Sequence, residues 1–179
     1  MIQQGVMEDP HVDAVLALHV AGLMPIGMIG ITPEPAMAGV GNFQITILGR
    51  GGHAAFPHLA VDPIVAGAQV VNALQTVVSR NVDPTQLAVV TVGTFHGGTK
   101  ENIIPDSVEI TGTFRAFDMT LLNQLAQRIE AIVKGVTETM GASVEFHHQI
   151  TCPAVVNDAA FSQRVRHHAE DLVGDKSII

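Results

Sequence analysis

The chain has no tryptophan, no tyrosine and a single cysteine, Cys152. One cysteine cannot close an internal disulfide, which fits a reducing compartment and leaves stability to the core. Basic residues are scarce: 9 Lys and Arg stand against 17 Asp and Glu, for a net charge of −8. Binding nucleic acid takes clustered cations to neutralise phosphates, and no basic run exists, so that partner is excluded. Uninterrupted apolar runs of about 18 residues, the length that crosses a bilayer, are missing too. Each apolar stretch is broken early by Gly, Pro or His, and no membrane partner is expected. The opening MIQQGVMEDP has no basic start followed by an apolar run, so it does not read as a signal peptide. Phosphate loops, paired-cysteine metal motifs and nucleophile elbows are also absent. The expectation is a cytoplasmic globular protein.

What is present is apolar. Hydrophobic residues make up 47% of the 179 and charged ones 15%, a balance opposite to that of disordered chains. The mean hydropathy of +0.34 has two explanations, a Val/Ala-rich core or a surface covered in an oligomer, and both stay open.

Local patterns divide the chain. Residues 12–20, VDAVLALHV, read as a buried strand ending in His19, and GMIGI at 27–31 as a short strand. TPEPAMAGVG at 32–41 reads as a connector, with a domain boundary near residue 40. NFQITILG (42–49) alternates, with Phe43, Ile45 and Ile47 on one face. Asp62-Pro63 starts a helix whose apolar positions are Ile64, Ala68, Val71, Leu74 and Val78. QLAVVTVGTF (86–95) is strand-like. In SVEITGTFRAF (107–117), Val108, Ile110, Phe114 and Ala116 share one face, opposite Glu109, Thr111, Thr113 and Arg115. Asp118 caps a second helix through Leu121, Leu125, Ile129, Ile132, Val136 and Met140, which Gly141 stops. ASVEFHHQI (142–150) is the last strand, and Asn157-Asp158 caps a helix over 159–173.

The order β-α-β-β-α-β predicts an α+β, ferredoxin-like domain: a four-stranded antiparallel sheet with both helices on one face. Its second strand is then an unpaired, apolar and uncharged edge, and residues 87–94 are expected to pair with a second copy in a homodimer. Both ends of the chain read as pieces of another domain.

Four residues stand out as candidates for chemistry. His19, at a strand end, can be satisfied by a backbone carbonyl or by a metal ion. His53 lies in the glycine turn GRGGHAAFPH and is either an inert loop histidine or a general acid/base or oxyanion donor. Asn102 lies in ENIIPD (101–106), the turn between the two middle strands in chain order. Arg115 faces the helix-free side of the sheet, as a surface ion pair or as a receiver of a substrate carboxylate. His58, His96, His147, His148, His167 and His168 share no ligand spacing and read as structural.

Taken together, DAVLALHV, GRGGHAAFPHLAVDPIVAGAQVVNALQTVVSRNVDP, VVTVGTFHGGTKENIIPDSVEITGTFRAFD and PAVVND closely resemble the N-acyl-amino-acid amidohydrolases. This is the hippurate hydrolase, auxin-conjugate hydrolase and N-acetyl-diaminopimelate deacetylase branch of the dinuclear-metal aminoacylase/carboxypeptidase superfamily. The resemblance covers nearly the whole chain, and GGHAAFPH is very specific. It implies an α/β catalytic domain holding two divalent metal ions, zinc or manganese, with an inserted lid that dimerises. Residues 41–152 correspond to the lid, 1–40 to a remnant of the catalytic domain, and 153–179 to its returning segment. The implied reaction is metal-dependent hydrolysis of the amide of an N-acyl amino acid or small peptide. His19 matches a metal ligand. His53 matches the lid histidine that reaches across the dimer to the scissile carbonyl. Asn102 and Arg115 match substrate contacts, Arg115 at the free carboxylate. The resemblance puts the remaining ligands before residue 1 and past residue 179, and the chain has no Glu-Glu pair to act as general base. No stably bound metal and no turnover are therefore expected of this chain alone. The alternative is a ferredoxin-like dimerisation or small-molecule-binding module without catalysis.

Overall fold

The computed structural model describes residues 2–179. In chain order its elements are β1 (Pro35–Met37), β2 (Gly39–Leu48), β3 (Gly52–His53), α1 (Pro63–Leu74), α2 (Thr76–Asn81), β4 (Ala88–Gly97), β5 (Ile103–Ile104), β6 (Ser107–Ala116), α3 (Met119–Thr139), β7 (Ser143–Cys152), β8 (Val155–Val156) and α4 (Ala159–Val173). The chain divides into two compact units, Thr32–Gln163 and Met1–Ile31 with Arg164–Ile179.

The larger unit is α+β and ferredoxin-like. Its main sheet has the order β4-β6-β2-β7, every pair antiparallel, so β4 and β7 are the edges. Alternation decides its faces. Phe43, Ile45 and Ile47 of β2 and Val108, Ile110, Phe114 and Ala116 of β6 are buried, and the residues between them are not. α1 and α3 lie side by side over the buried face.

The central pair β2–β6 keeps one register from Gly39 opposite Ala116 to Leu48 opposite Ser107. Within it, Phe43 sits opposite Gly112 and Phe114 opposite Gly41. A Cβ on either glycine would overlap the facing phenylalanine ring, so each ring occupies the space its cross-strand glycine leaves open. A slip of one residue would break both pairs and turn the apolar set to solvent.

Both long helices start as the sequence predicts. The Asp62 carboxylate accepts from the N–H groups of Ile64 (2.9 Å) and Val65 (3.3 Å), and the Asp118 carboxylate from that of Leu121 (2.8 Å). The buried stripes differ from the expected ones. In the first helical stretch they are Pro63, Ala66, Gly67, Val70, Leu74 and Val77, while Ile64 and Ala68 are exposed. The helix turns its smallest residues to the sheet because Phe95 lies there, 2.8 Å from where a Gly67 Cβ would be. A bulge between Val92 and Thr94 shifts the parity of β4 and brings Phe95 to that face. The stretch also divides at Gln75 into α1 and α2. In α3, Leu122, Ala126, Val133 and Thr137 join Leu121, Leu125 and Ile129 in the core, and Met140 is exposed. Buried Thr137 is tolerated because its hydroxyl donates to Val133 O at 2.8 Å.

Three expectations are corrected. The stretch 32–41 is more than a connector: β1 within it pairs with β8, and β2 starts at Gly39. Residues 12–20 form no strand; Leu18 is 90% and Val20 86% exposed. The strand expected at 27–31 reduces to one bridge, Ile29 with Ile178. A strand is satisfied only by a neighbour's N–H and C=O groups, and that bridge is the only β pairing among the described residues of the smaller unit.

Gly112→Ala is expected to destabilise the larger unit by about 1–3 kcal/mol, the cost of overpacking against Phe43 and Thr91 O. Urea unfolding followed by circular dichroism reads this, and a midpoint equal to wild type would show that the ring moves aside freely.

Candidate functional site

The site is built at the end of the sheet where β2 leaves and β6 enters. Gly49 N–H donates to Asp106 O at 2.8 Å, one step beyond the last β2–β6 pair. Two loops leave that point together. β3 in the first pairs with β5 in the second, Gly52 opposite Ile104 and His53 opposite Ile103. Ala54 N–H donates to Asn102 O at 3.1 Å. His53 and Asn102, distant in sequence, thus sit on adjoining strand ends.

The first loop is also closed on itself. Arg50 and Val61 exchange N–H···O bonds of 2.9 Å, and Arg50 Nε donates to Leu59 O at 3.2 Å. Gly49 is required where the loop closes: a Cβ there would overlap Val61 O and lie 2.8 Å from Pro63 Cδ. Asp62-Pro63 then opens α1. The far end of the loop is therefore a helix cap joined to a bridge.

His53 is exposed at the tip. Its O accepts from Phe56 N–H at 2.9 Å, and its ring lies 5.8 Å from that of Phe56, which in turn meets His58 edge-on at 6.4 Å. Ala55 N–H donates to His53 Nδ1 at 3.1 Å. A nitrogen that accepts holds a lone pair, so this contact assigns the neutral ring its proton on Nε2. Nε2 has no hydrogen-bond partner among the described residues and is an outward-facing donor. The ring overlooks an open depression of about 500 Å³ lined by Gly51, Gly52, Asn102, Ile103, Ile104 and Asp106.

The other two sequence candidates are elsewhere. Arg115 is at the far end of β6, eight residues from Ser107, a separation of ~26 Å along a strand. It is partly buried on the helix-free face, bonded to Thr113 Oγ1 and to Phe114 O (3.3 Å), and in no ion pair among the described residues. His19 belongs to the smaller unit, exposed, with Nδ1 2.7 Å from Val20 O. Among the described residues no group of three or more His, Cys, Asp and Glu is placed to hold a metal ion. A catalytic metal needs about three protein ligands, so the donors present do not fit one. A second depression of about 510 Å³ on the sheet includes Asn42, Gln44, Thr111, His147 and Gln149 and none of the four candidates.

Sequence reasoning passed over Asp106 and the β3–β5 pairing. Two-residue strands are too short for periodicity to show. The available signal was Asp106 at the end of ENIIPD, directly before a strand.

Comparison with known proteins adds the following. Residues 36–140 match the family model "Peptidase dimerisation domain" of the M20 group. The chain is 46% identical over 157 residues to an N-acyl-L-amino acid amidohydrolase of Geobacillus stearothermophilus, covering 88% of this chain and 42% of that protein. A crystal structure from methicillin-resistant Staphylococcus aureus, assigned as an aminohydrolase, superposes with a TM-score of 0.84 and 35% identity, covering 99% of this chain and 46% of that one. The YXEP protein of Bacillus subtilis, described as a dinuclear metal binding peptidase from the M20 family, superposes with a TM-score of 0.71 and 29% identity over 96% of this chain and 42% of that one. The chain thus spans less than half the length of each.

His53→Ala is expected to leave the thermal midpoint within about 2 °C of wild type, because an exposed loop side chain outside the core is replaced. Asp62→Ala, which removes the α1 cap, is expected to cost about 1 kcal/mol. Melting curves compare the two; an equal loss in both would mean that the His53 ring contacts carry stability.

Proposed function

The chain belongs to the M20 peptidase dimerisation domain family, and from that membership we propose that it supplies the lid of an enzyme hydrolysing the amide bond of N-acyl amino acids or small peptides. In this reading residues 41–152 are the lid, and residues 1–40 and 153–179 are parts of an α/β catalytic domain on either side. The observation that carries it is the β3–β5 pairing, which presents an imidazole donor and Asn102 at one open depression. A donor aimed at an amide carbonyl stabilises the negative charge that builds on its oxygen during attack by water. His53 Nε2–H has that role, Asn102 contacts the bound substrate, and Arg115 pairs with its free carboxylate.

The distance between His53 and Arg115 supports a dimer. Pairing β4 with β4 of a second copy across residues 87–94 is antiparallel. It sets the Arg115 end of one sheet on the same side as the His53 end of the other. One site then draws His53 and Asn102 from one subunit and Arg115 from its partner. β4 suits the role: it is an edge strand, and Leu87 and Val89 are exposed.

His19 is the proposed contribution of this chain to a metal pair of zinc or manganese, and other ligands must complete it. Turnover is therefore a property of a protein that carries those ligands. The alternative reading is a dimerisation or small-molecule-binding module without catalysis, and metal-dependent turnover of N-acetyl amino acids by the purified chain would overturn it. A cytoplasmic setting suits the lone Cys152. No helix is long and apolar enough to cross a membrane among the described residues.

Light scattering on the purified chain is expected to give a dimer mass at micromolar concentration, and a monomer would overturn the edge pairing. In a protein that carries the full ligand set, His53→Ala is expected to lower kcat on N-acetyl amino acids by about 10²-fold or more with the dimer intact. An effect within about threefold would return His53 to an inert loop residue.

A further inference from the structure

Asp106 joins the two loops of the site at their base. Its main-chain O accepts from Gly49 N–H and its Oδ1 from Gly51 N–H, each at 2.8 Å. These two donors flank Arg50, the point at which the chain leaves β2 for the His53 loop. The fit is close. A Cβ on Gly51 would lie 2.8 Å from Ile104 O and 2.9 Å from Asp106 Oδ1. Directly above this clamp come the pairs Gly52–Ile104 and His53–Ile103, then the bond from Ala54 N–H to Asn102 O. The last link is Ala55 N–H on His53 Nδ1.

We propose that Asp106 is a positioning residue for His53: its carboxylate holds Gly51 so that β3 stays paired with β5, which in turn keeps Ala55 N–H on His53 Nδ1 and Nε2–H facing outward. The carboxylate has no ion-pair partner among the described residues, and its side-chain hydrogen bond is the one to Gly51. It is exposed and lies outside the hydrophobic core, so holding this turn is the work its position allows. The pairing it supports is two residues long, too short to persist without an anchor. The consequence for turnover rests on the lid reading above; the positioning itself does not.

The test uses the 179-residue chain with no substrate, so its failure is separate from failure of the proposed reaction. Amide hydrogen exchange is measured by NMR on wild type, Asp106→Ala and Asp106→Asn. In Asp106→Ala, protection at Ala54 and Ala55 is expected to fall about tenfold or more, while that of Ile45 in the core stays unchanged. In Asp106→Asn, which keeps an acceptor oxygen, protection at both is expected to stay within about threefold of wild type. Wild-type exchange at Ala54 and Ala55 in the alanine variant would overturn the proposal. So would an equal loss at Ile45, which marks a general structural role, or an asparagine variant that behaves like alanine.

Discussion

Phe43 seated on Gly112, and Phe114 on Gly41, lock β2 and β6 into one register. Two rings meeting two glycines make a pair of complementary shapes that no other alignment reproduces. Through the period of two, that alignment decides which side chains enter the core. It also decides where the strands end. Leu48 and Ser107 finish opposite each other, so the loop that leaves one and the loop that enters the other start at the same point. The candidate site is a consequence of that shared exit.

The same logic of large against small repeats one layer up. Phe95 reaches the helix-bearing face only because the β4 bulge shifts its parity. α1 accommodates the ring with Gly67 and turns Ile64 and Val65 outward. A helix chosen for its large apolar residues would ride too high over the sheet. The bulge also shapes the edge, since it falls inside the stretch proposed to pair with a second copy.

The His53 loop is held at three heights. A bridge and a helix cap secure its return, the Asp106 clamp its departure, and the β3–β5 pairing its middle. The histidine is exposed yet has a defined hydrogen-bonding form. Its Nδ1 is engaged by Ala55 N–H within the same loop.

By itself the sequence determined the elements that are long enough to repeat a pattern. The alternation in NFQITILG and SVEITGTFRAF, the caps Asp62 and Asp118 and the order of strands and helices were legible because each is a local property. The motifs GGHAAFPH and ENIIPD marked His53 and Asn102 as separate points. Tertiary structure alone decided that these two points meet, that Asp106 ties them, and that Arg115 stands at the opposite end. It also decided that α1 faces the sheet through Ala66 and Gly67, and that VDAVLALHV is not a strand here. Each of these depends on a partner far away in the chain. The propensity of a segment says what it can become, and the backbone groups and side chains placed opposite it settle what it does become.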